Sequence, residues 1–577
     1  MPGLLLLVAT FVAYVLTLSP AAGWLDSPEF VAAASTLGIP HSPGHPVDVM
    51  ISRAAEMLPL GDASFRVALV SAATVAGATA LLYVTIRRVA AALGAGERTM
   101  AATVIAVAAA LLFAWSGGAW VQAVRPEVYG LEILLCGVAL ATLTGPTPVP
   151  VAAALALGLG LANHHYITIV FALPLTVYAL TLAPVRARFF PSLAALALGL
   201  AAYAYLPLRA MRDPLVNWGN PDTPARFWWT VSAKAFQKAV HATQHATDTR
   251  ADDVLQALGT VILQLSPVGF LLGLVGLYVL LRARASRPIG ALLLLSCLAT
   301  TVLRGALGFD FDNPDALGYL LPATLMFLVG AGAGLCVLAR HVPRAGVVLA
   351  AGLTCAAGWQ LVANAGTSSR RHDESGDVWA NALYTGAPAR ALVVTSYFET
   401  AFQTWALRAV DGARPDVGLY DLGMATYPGH AESAQVRALG LPPGTEERLR
   451  MGLPLPVDAL LATRRPVLVE PYLGIDGPLA AQLLLEAPLA LLRATPMEGA
   501  SHARDDAAAL TRLRHDVLAA GGAGNSDARR ALLWHAYVHA RFYCAISPVA
   551  GSDLARRLRD LDPDDETIQH LAQDCGQ

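Results

Sequence analysis

The sequence predicts a polytopic α-helical membrane protein with a C-terminal soluble domain. The chain has 577 residues, of which 55% are hydrophobic and only 14% are charged, whereas a soluble domain carries roughly 25% charged residues. Apolar runs recur up to about residue 363, and charged residues become frequent only beyond it. This change in composition predicts a transmembrane domain over 1–365 and a soluble domain over 366–577.

About eleven apolar runs approach the length that crosses a bilayer, which is roughly 20 residues for a helix. They lie at 4–20, 65–86, 99–115, 128–144, 149–162, 166–183, 190–207, 260–281, 289–304, 317–338 and 344–363. The first run lacks a preceding Lys or Arg, so it reads as a retained helix and not as a signal peptide. Cleavage after the small residues 19–22 stays open as the alternative.

The arginines between these runs predict the orientation of the chain. Cytoplasmic loops of membrane proteins carry an excess of Lys and Arg. Arginine pairs and triplets fall on one side of the predicted spans: Arg87, Arg88, Arg98, Arg186, Arg188, Arg282, Arg284, Arg287, Arg340 and Arg344. We therefore expect a multi-pass protein of the bacterial inner membrane, with a cytoplasmic N-terminus and a periplasmic C-terminal domain. The outer loops 21–64, 116–127 and 208–253 hold most of the polar motifs.

In the C-terminal part, the runs Ala391–Thr395 and Pro466–Glu470 predict buried strands. From Asp527 onward the pattern is helical, so an α/β part is expected to precede a helical part. His535 and His539 stand four residues apart, which fits a metal pair on a helix. A third ligand is not apparent, so we predict a surface helix and no metal site.

The cysteines and the charge balance indicate little about partners. Cys544 and Cys575 lie in the part predicted to face an oxidising compartment, where they could pair or stay free. A net charge of −2 without a basic stripe gives no indication of nucleic acid as a partner.

Two carboxylates follow the first apolar run directly. Asp26 and Glu29 stand three residues apart, and a segment rich in Pro, Gly and His, with His41 and His45, comes next. Acidic side chains at the edge of a bilayer are costly unless they have a function. The pattern predicts an enzyme that acts at the membrane surface on a lipid-linked donor.

Further polar motifs fall on the same predicted face. They comprise Arg125, Glu127 and Tyr129 in the second outer loop, Asn163, His164 and His165 at the next outward turn, and Arg209, Asn217 and Trp218 in the fourth segment. Each has a plain structural interpretation: Arg125 and the histidines could be interfacial, Glu127 could cap a helix, and Arg209 could reach head groups without another role. A functional interpretation gives Arg209 a bidentate phosphate contact and Trp218 a ring for sugar stacking.

Taken in order, these motifs resemble a polytopic family long catalogued as a domain of unknown function, whose animal members are protein O-mannosyltransferases of the secretory pathway. That family in turn is similar to the GT-C glycosyltransferases, which use polyprenyl-phosphate sugars. The resemblance rests on the segments 26–30, 38–46, 127–129, 163–165, 205–209, 217–219 and 414–417. The chain departs from the family pattern at Pro28 and His45.

The resemblance implies a GT-C-like glycosyltransferase that moves a sugar, mannose-like, from a polyprenyl phosphate to a hydroxyl of a protein or glycan with inversion. Asp26 would be the base, and Glu29 would orient the acceptor or hold a divalent cation, the only cofactor considered. Positive charge for the phosphate would come from Arg209, then from Arg125 or the two adjacent histidines. A flippase or transporter for the lipid-linked sugar and a glycan polymerase or ligase remain the alternatives.

Overall fold

The computed structural model describes residues 1–96, 99–236, 250–308, 313–451, 455–472, 475, 477–486, 488–495, 503–546 and 548–561. The chain forms two compact units. The first contains Met1–Ser19, Ile39–Leu208 and Trp228–Arg371, and the second contains Pro20–Gly38, Arg209–Phe227 and His372–Gln577. The second unit is thus built from the C-terminal part together with two segments that the sequence places between membrane helices.

The first unit is helical. Its described helices are α1 Pro2–Thr17, α3 Pro46–Glu56, α4 Ala63–Ala92, α5 Met100–Ala114, α6 Gly117–Ala123, α7 Tyr129–Leu143, α8 Pro150–Thr181, α9 Ala183–Ala187, α10 Phe189–Leu200, α13 Arg250–Leu265, α14 Pro267–Arg282, α15 Arg287–Ala306, α16 Pro314–His341 and α17 Pro343–Ser368. Two helices, α11 Tyr205–Ala210 and α12 Pro224–Val231, each contain a boundary between the units.

Six helices of the described part are long and apolar enough to cross a membrane: Ala63–Ala92, Pro150–Thr181, Phe189–Ala210, Arg287–Ala306, Pro314–His341 and Pro343–Ser368. Two bent pairs, α5 with α6 at 64° and α13 with α14 at 96°, bring the number to eight when each pair is one span. The helices α1 and α7 are shorter and also apolar. The chain is therefore a multi-pass membrane protein.

The helix α8 is interrupted at His164, whose backbone angles of φ −143° and ψ 83° are not helical. Ala153 on one side of this point and Ala179 on the other line the same cavity of about 190 Å³. A straight helix would separate them by about 39 Å at 1.5 Å per residue. The two arms of α8 therefore fold back on each other, as the two apolar runs predicted, and His164 lies at the turn.

Small residues let the membrane helices approach closely. A Cβ atom on Gly334 of α16 would lie 1.9 Å from the carbonyl oxygen of Gly276 in α14. In a bilayer, helix association depends on such backbone contact, because lipid tails are as apolar as leucine side chains. The glycines at this crossing are required by the packing itself.

The second unit contains a five-stranded sheet with helices. Its described elements are α2 Ser27–Thr36, α18 Ser375–Thr385, β1 Leu392–Thr395, α19 Phe398–Asp411, β2 Gly418–Asp421, α20 Ala434–Arg437, α21 Thr445–Arg450, α22 Val457–Ala462, β3 Val467–Val469, α23 Gly477–Ala480, β4 Leu483–Glu486, β5 Leu489–Leu492, α24 Ala503–Ala519, α25 Ser526–Ile546 and α26 Pro548–Leu561. The strand order is β2-β1-β3-β5-β4, and β1 pairs in parallel with both β2 and β3. Both predicted strands are present, as β1 and β3.

The prediction of a surface helix for His535 and His539 is wrong. Both side chains of α25 are buried, and α25 contributes Ala536, Ala540 and Phe542 to the apolar core around β1 and β3. Apolar residues interleaved with the histidines at helical spacing explain the burial. Cys544, near the end of the same helix, is disulfide-bonded, whereas Cys575 lies outside the described residues.

Candidate active site

The carboxylates predicted from the first outer loop lie together at the start of α2, in the second unit. One oxygen of Asp26 and one of Glu29 are within 4.8 Å of each other. Asp26 occupies the N-cap position of α2, yet its side chain makes no capping hydrogen bond to the first turn. Glu29 is fully buried, while Asp26 is half-buried. Both carboxylates lie at the positive end of the helix dipole.

The segment before α2 is held by direct hydrogen bonds. The indole Nε1 of Trp24 donates to Ser375 Oγ at 2.8 Å, and Gln403 Nε2 donates to the carbonyl oxygen of Gly23 at 2.6 Å. The helix α2 packs along α19. The carboxylate pair is therefore positioned by the C-terminal part of the chain, which the sequence motifs did not indicate.

Arg209 also lies in the second unit, where it holds the other end of α2. Its Nε donates to the carbonyl oxygen of Leu37 at 2.7 Å, and Nη2 donates to that of Thr36 at 3.0 Å. Carbonyl groups at a helix C-terminus lack partners within the helix and carry partial negative charge. The planar fork that was predicted to clamp phosphate is thus directed to the helix that carries Asp26 and Glu29.

We expect Arg209→Ala to lower the stability of the protein by roughly 1.5–3 kcal/mol, since hydrogen bonds from a charged donor to two carbonyls are lost. Arg209→Lys keeps the charge but cannot make both contacts, so its loss should be smaller. Thermal unfolding in detergent measures both, with Arg212→Ala, at a neighbouring exposed arginine, as the matched control. If the Arg209 variants bind the donor more weakly but keep their stability, Arg209 contacts the donor phosphate, as the sequence predicted.

The structure favours a packing role for Trp218 over the predicted sugar-stacking ring. Its side chain is only 2% exposed and packs against Phe398 at 5.4 Å and Tyr427 at 5.3 Å between ring centroids. Asn217 donates from Nδ2 to Asn220 Oδ1 at 3.1 Å within the same turn. Aromatic packing accounts for the tryptophan, so this turn is a structural element of the second unit.

In the first unit, six ring side chains form a group that we call the histidine–tyrosine cluster: His41, His45, Tyr129, His164, Tyr166 and Tyr319. The ring centroids are 4.9 Å apart for His41 and His45, 5.7 Å for His45 and His164, and 5.1 Å for His164 and Tyr319. The loop before α3, the start of α7, the turn of α8 and the start of α16 contribute the members. The structure thus brings together four predicted residues, while His165 is half-buried beside His164.

The protonation of His45 follows from its contacts. Its Nδ1 lies 2.7 Å from the carbonyl oxygen of Asn163, and since a carbonyl only accepts, Nδ1 carries the proton. Burial, and then the neighbouring His41 and His164, lower the pKa of His45 well below its usual range. His45 is therefore a neutral ring whose Nε2 is an acceptor.

Asn163 is fixed by a buried acid that the sequence analysis did not consider. Its Nδ2 donates to Glu132 Oε2 at 3.3 Å, and Thr168 donates to the other oxygen of Glu132 across the turn of α8. An acid inside an apolar helix is costly unless it is hydrogen-bonded. Glu132 of α7 thus positions the turn that carries His164.

Arg304 and Tyr319 were also missed. The guanidinium carbon of Arg304 lies 5.0 Å from the centroid of the Tyr319 ring, and Tyr166 stacks edge-on against the same ring at 5.6 Å. Arg304 is in the last turn of α15, at the opposite end from Arg287. Most arginines next to predicted spans lie on the predicted cytoplasmic side, whereas Arg304 lies at the opposite end of its helix. This position could have marked Arg304 in the sequence.

Arg125 and Glu127 form an ion pair within the first unit. Arg125 Nη1 lies 3.4 Å from Glu127 Oε1, and Nη2 pairs with Asp315 of α16. Two carboxylates thus surround one buried guanidinium, so its charge is compensated. The structure favours a structural role for this pair over the predicted phosphate contact.

A separate group of buried acids lies in the second unit, at the carboxyl ends of the parallel strands. Glu470 follows β3 and accepts hydrogen bonds from Thr395 and, at 2.5 Å, from Thr400. Burial raises the pKa of Glu470 to about 8 and that of Asp421, at the end of β2, to about 7.

These values predict a pH dependence of stability. The folded-state pKa of Glu470 lies above its ordinary value of 4.5, so the folded state binds the proton more tightly. The stabilisation of the folded state by this tighter proton binding is fully present below pH 4.5 and is lost as the pH rises towards 8. The thermal unfolding midpoint should decrease as the pH is raised from 5 to 9. This decrease should be smaller in Glu470→Gln. An equal fall in both proteins would contradict the assignment.

Comparisons with known proteins agree with the predicted resemblance. The family model of the protein O-mannosyl-transferase TMEM260 N-terminal domain matches residues 26–187, a range that begins at Asp26 and includes His164. The chain is 24% identical over 444 residues to the protein O-mannosyl-transferase TMEM260 of Mus musculus, which covers 72% of this chain and 61% of that protein. The chain thus spans about three fifths of the length of this relative.

The fold is similar to that of ArnT from Cupriavidus metallidurans, whose crystal structure is known bound to undecaprenyl phosphate. The TM-score is 0.50 at 14% sequence identity, with 81% of this chain and 93% of ArnT covered. The predicted GT-C-like architecture, a polytopic helical part followed by a soluble part with a sheet, is confirmed.

Proposed function

We propose that this protein is a membrane glycosyltransferase of the GT-C type. It transfers a mannose-like sugar from a polyprenyl-phosphate donor to a hydroxyl group of a protein or glycan. The observation that carries the proposal is the carboxylate pair, in which Asp26 stands at the start of α2 without capping it. The similarity to a protein O-mannosyl-transferase and to ArnT supports the reaction class.

In the proposed reaction the acceptor oxygen attacks the anomeric carbon, and the bond from this carbon to the phosphate oxygen breaks. Asp26 removes the proton of the acceptor hydroxyl, as a general base. Glu29 orients the acceptor or holds a divalent cation, and abolition of turnover by EDTA with recovery on adding Mg²⁺ or Mn²⁺ would assign it the second role. A single displacement inverts the configuration of the anomeric carbon.

The leaving lipid phosphate is stabilised by the histidine–tyrosine cluster and Arg304. The guanidinium supplies positive charge, and the tyrosine hydroxyls and the imidazoles of His41 and His164 supply hydrogen-bond donors around the phosphate. Arg304 lies against the Tyr319 ring and donates from Nη1 to the carbonyl oxygen of Gly308. It takes this role in place of Arg209, whose Nε and Nη2 both donate to the backbone of α2. The lipid tail lies in the bilayer.

The proposal is tested by mass spectrometry of glycoproteins and surface glycans from cells with and without this chain. Loss of one hexose from defined Ser or Thr residues indicates a protein acceptor, and loss of a glycan unit indicates a polymerase or ligase. Unchanged glycans together with altered distribution of the lipid-linked sugar across the membrane would indicate a transporter.

We expect the second unit to lie on the periplasmic side, because arginines cluster in the loops on the other side of the predicted spans. A reporter that is active only outside the cytoplasm, fused after Gln577, should be active. The same reporter fused after Arg284, between α14 and α15, should be inactive. The reverse pattern would contradict the orientation.

A further inference from the structure

A second cavity of the protein lies entirely within the second unit. It has a volume of about 310 Å³ and is lined by Trp24, Leu25, Tyr397, Glu399, Asp527, Arg530, Ala531, Trp534 and His535. This volume is at the lower end of small-molecule sites, roughly 300–1,000 Å³. The proposed reaction does not use the cavity, apart from the proximity in sequence of Trp24 and Leu25 to Asp26.

The position of the cavity in the fold is that of a ligand site. Tyr397 and Glu399 follow the carboxyl end of β1, and His535 lies 3.6 Å from Glu470, which follows β3. The chain runs from β1 to β2 on one side and then to β3 on the other, so the order of the strands reverses between β1 and β3. Open α/β sheets bind ligands outside the carboxyl ends of the strands at such a point.

One side chain of the lining is incompletely hydrogen-bonded. His535 Nδ1 is buried and has no hydrogen-bond partner among the described residues. The ring packs against Trp379 at 4.4 Å and Tyr397 at 5.4 Å between centroids. Buried polar atoms are nearly always hydrogen-bonded, and an exception requires an explanation.

The lining combines flat aromatic surface with hydrogen-bonding groups. Trp534 is 37% exposed although it stands beside buried residues of α25, and Tyr397 stands edge-on to it at 5.9 Å. Glu399, Asp527 and Arg530 add two carboxylates and one guanidinium. This balance disfavours an anion such as the donor phosphate. A pyranose ring fits the set, because its C–H face stacks on an indole while its hydroxyls bond to carboxylate and guanidinium groups.

We propose that this cavity binds a pyranose ring and that the ring belongs to the acceptor. The acceptor is then a chain that already carries a sugar. The segment Trp24–Leu25 runs from the cavity wall directly into Asp26, so a bound sugar shares its backbone support with the proposed base. The identity of the ring as the acceptor rests on the proposed function, whereas the binding of a pyranose does not.

The binding test uses the full chain in nanodiscs, because maltoside and glucoside detergents carry pyranose head groups that would compete. Methyl α-D-mannopyranoside, followed by saturation-transfer NMR and tryptophan fluorescence, should bind saturably. Trp534→Ala and Glu399→Gln should each weaken binding at least about tenfold, or roughly 1.4 kcal/mol. Trp359→Phe, at an exposed tryptophan of the first unit, should leave binding unchanged. Thermal unfolding confirms that each variant is folded. If a variant does not fold, Trp534→Phe is measured in its place.

Absence of saturable binding, equal binding by Trp534→Ala, or binding only of an unglycosylated Ser/Thr peptide or of tetramethylammonium would overturn the inference. Transfer by an enzyme that does not bind the pyranoside would leave the proposed function standing and reject the acceptor site. Binding without any transfer would reject the proposed function and keep the sugar site.

Discussion

Asp26→Asn should lower the turnover of a polyprenyl-phosphate sugar at least about a hundredfold, which is the usual size of a general-base contribution. The amide keeps the shape of the side chain and removes the basic oxygen. Asn is as favourable as Asp at a helix N-cap position, so the fold of α2 should be kept. Turnover with purified enzyme and thermal unfolding of both proteins measure the two effects.

Asp62 provides the matched control. It is also an N-cap aspartate, at the start of the membrane helix α4, but its side chain does cap the helix, accepting from the backbone nitrogen of Phe65 at 2.7 Å. Asn is as good a cap as Asp, so Asp62→Asn should keep both activity and stability. Near-normal turnover of Asp26→Asn would reject the assignment of the base.

The second large effect is expected at Arg304. Arg304→Ala should lower turnover by roughly ten- to a hundredfold, since a hydrogen bond from a charged donor contributes about 1.5–3 kcal/mol. Arg304→Lys keeps the charge but not the planar fork or the contact with the Tyr319 ring, so it should recover only part of the activity. Turnover and apparent donor affinity should be measured with a short-chain polyprenyl-phosphate sugar.

Arg287, at the other end of α15, is the control for general effects of removing an arginine from this helix. It donates to the carbonyl oxygen of Leu281 at an exposed position. Arg287→Ala should therefore retain turnover. If both alanine variants lose activity equally, the effect comes from the stability of α15, and the phosphate contact has to be sought elsewhere in the histidine–tyrosine cluster.

The membrane part of the fold was predictable from the sequence because spanning helices need long apolar runs. Each predicted run falls on a described helix, and the turn of α8 was marked by three polar residues between two such runs. The sequence did not indicate which segments of the chain form the second unit, because α2 and the turn of Trp218 lie between membrane helices in sequence. Their placement depends on tertiary contacts, such as that of Trp24 with Ser375.

The candidate site was predictable where residue type and position along the chain sufficed. Asp26, Glu29 and the histidines lie at the ends of apolar runs, and the structure pairs the carboxylates and clusters three of the histidines. The assignment of Arg209 and Trp218 needed the partner atoms: an arginine that ends a span can donate to carbonyls or to phosphate equally well. Tyr319 and Glu132 lie inside apolar helices, where the sequence does not indicate which neighbour they face.

The most direct measurement of the central claim is transfer by the purified protein from a synthetic β-linked polyprenyl-phosphate mannose to an acceptor, with the anomeric configuration of the product determined by NMR. We expect an α-linked product and release of the lipid phosphate, both absent with Asp26→Asn. A β-linked product would contradict the single displacement, and no product with any acceptor isolated from the native membrane would contradict the transferase itself.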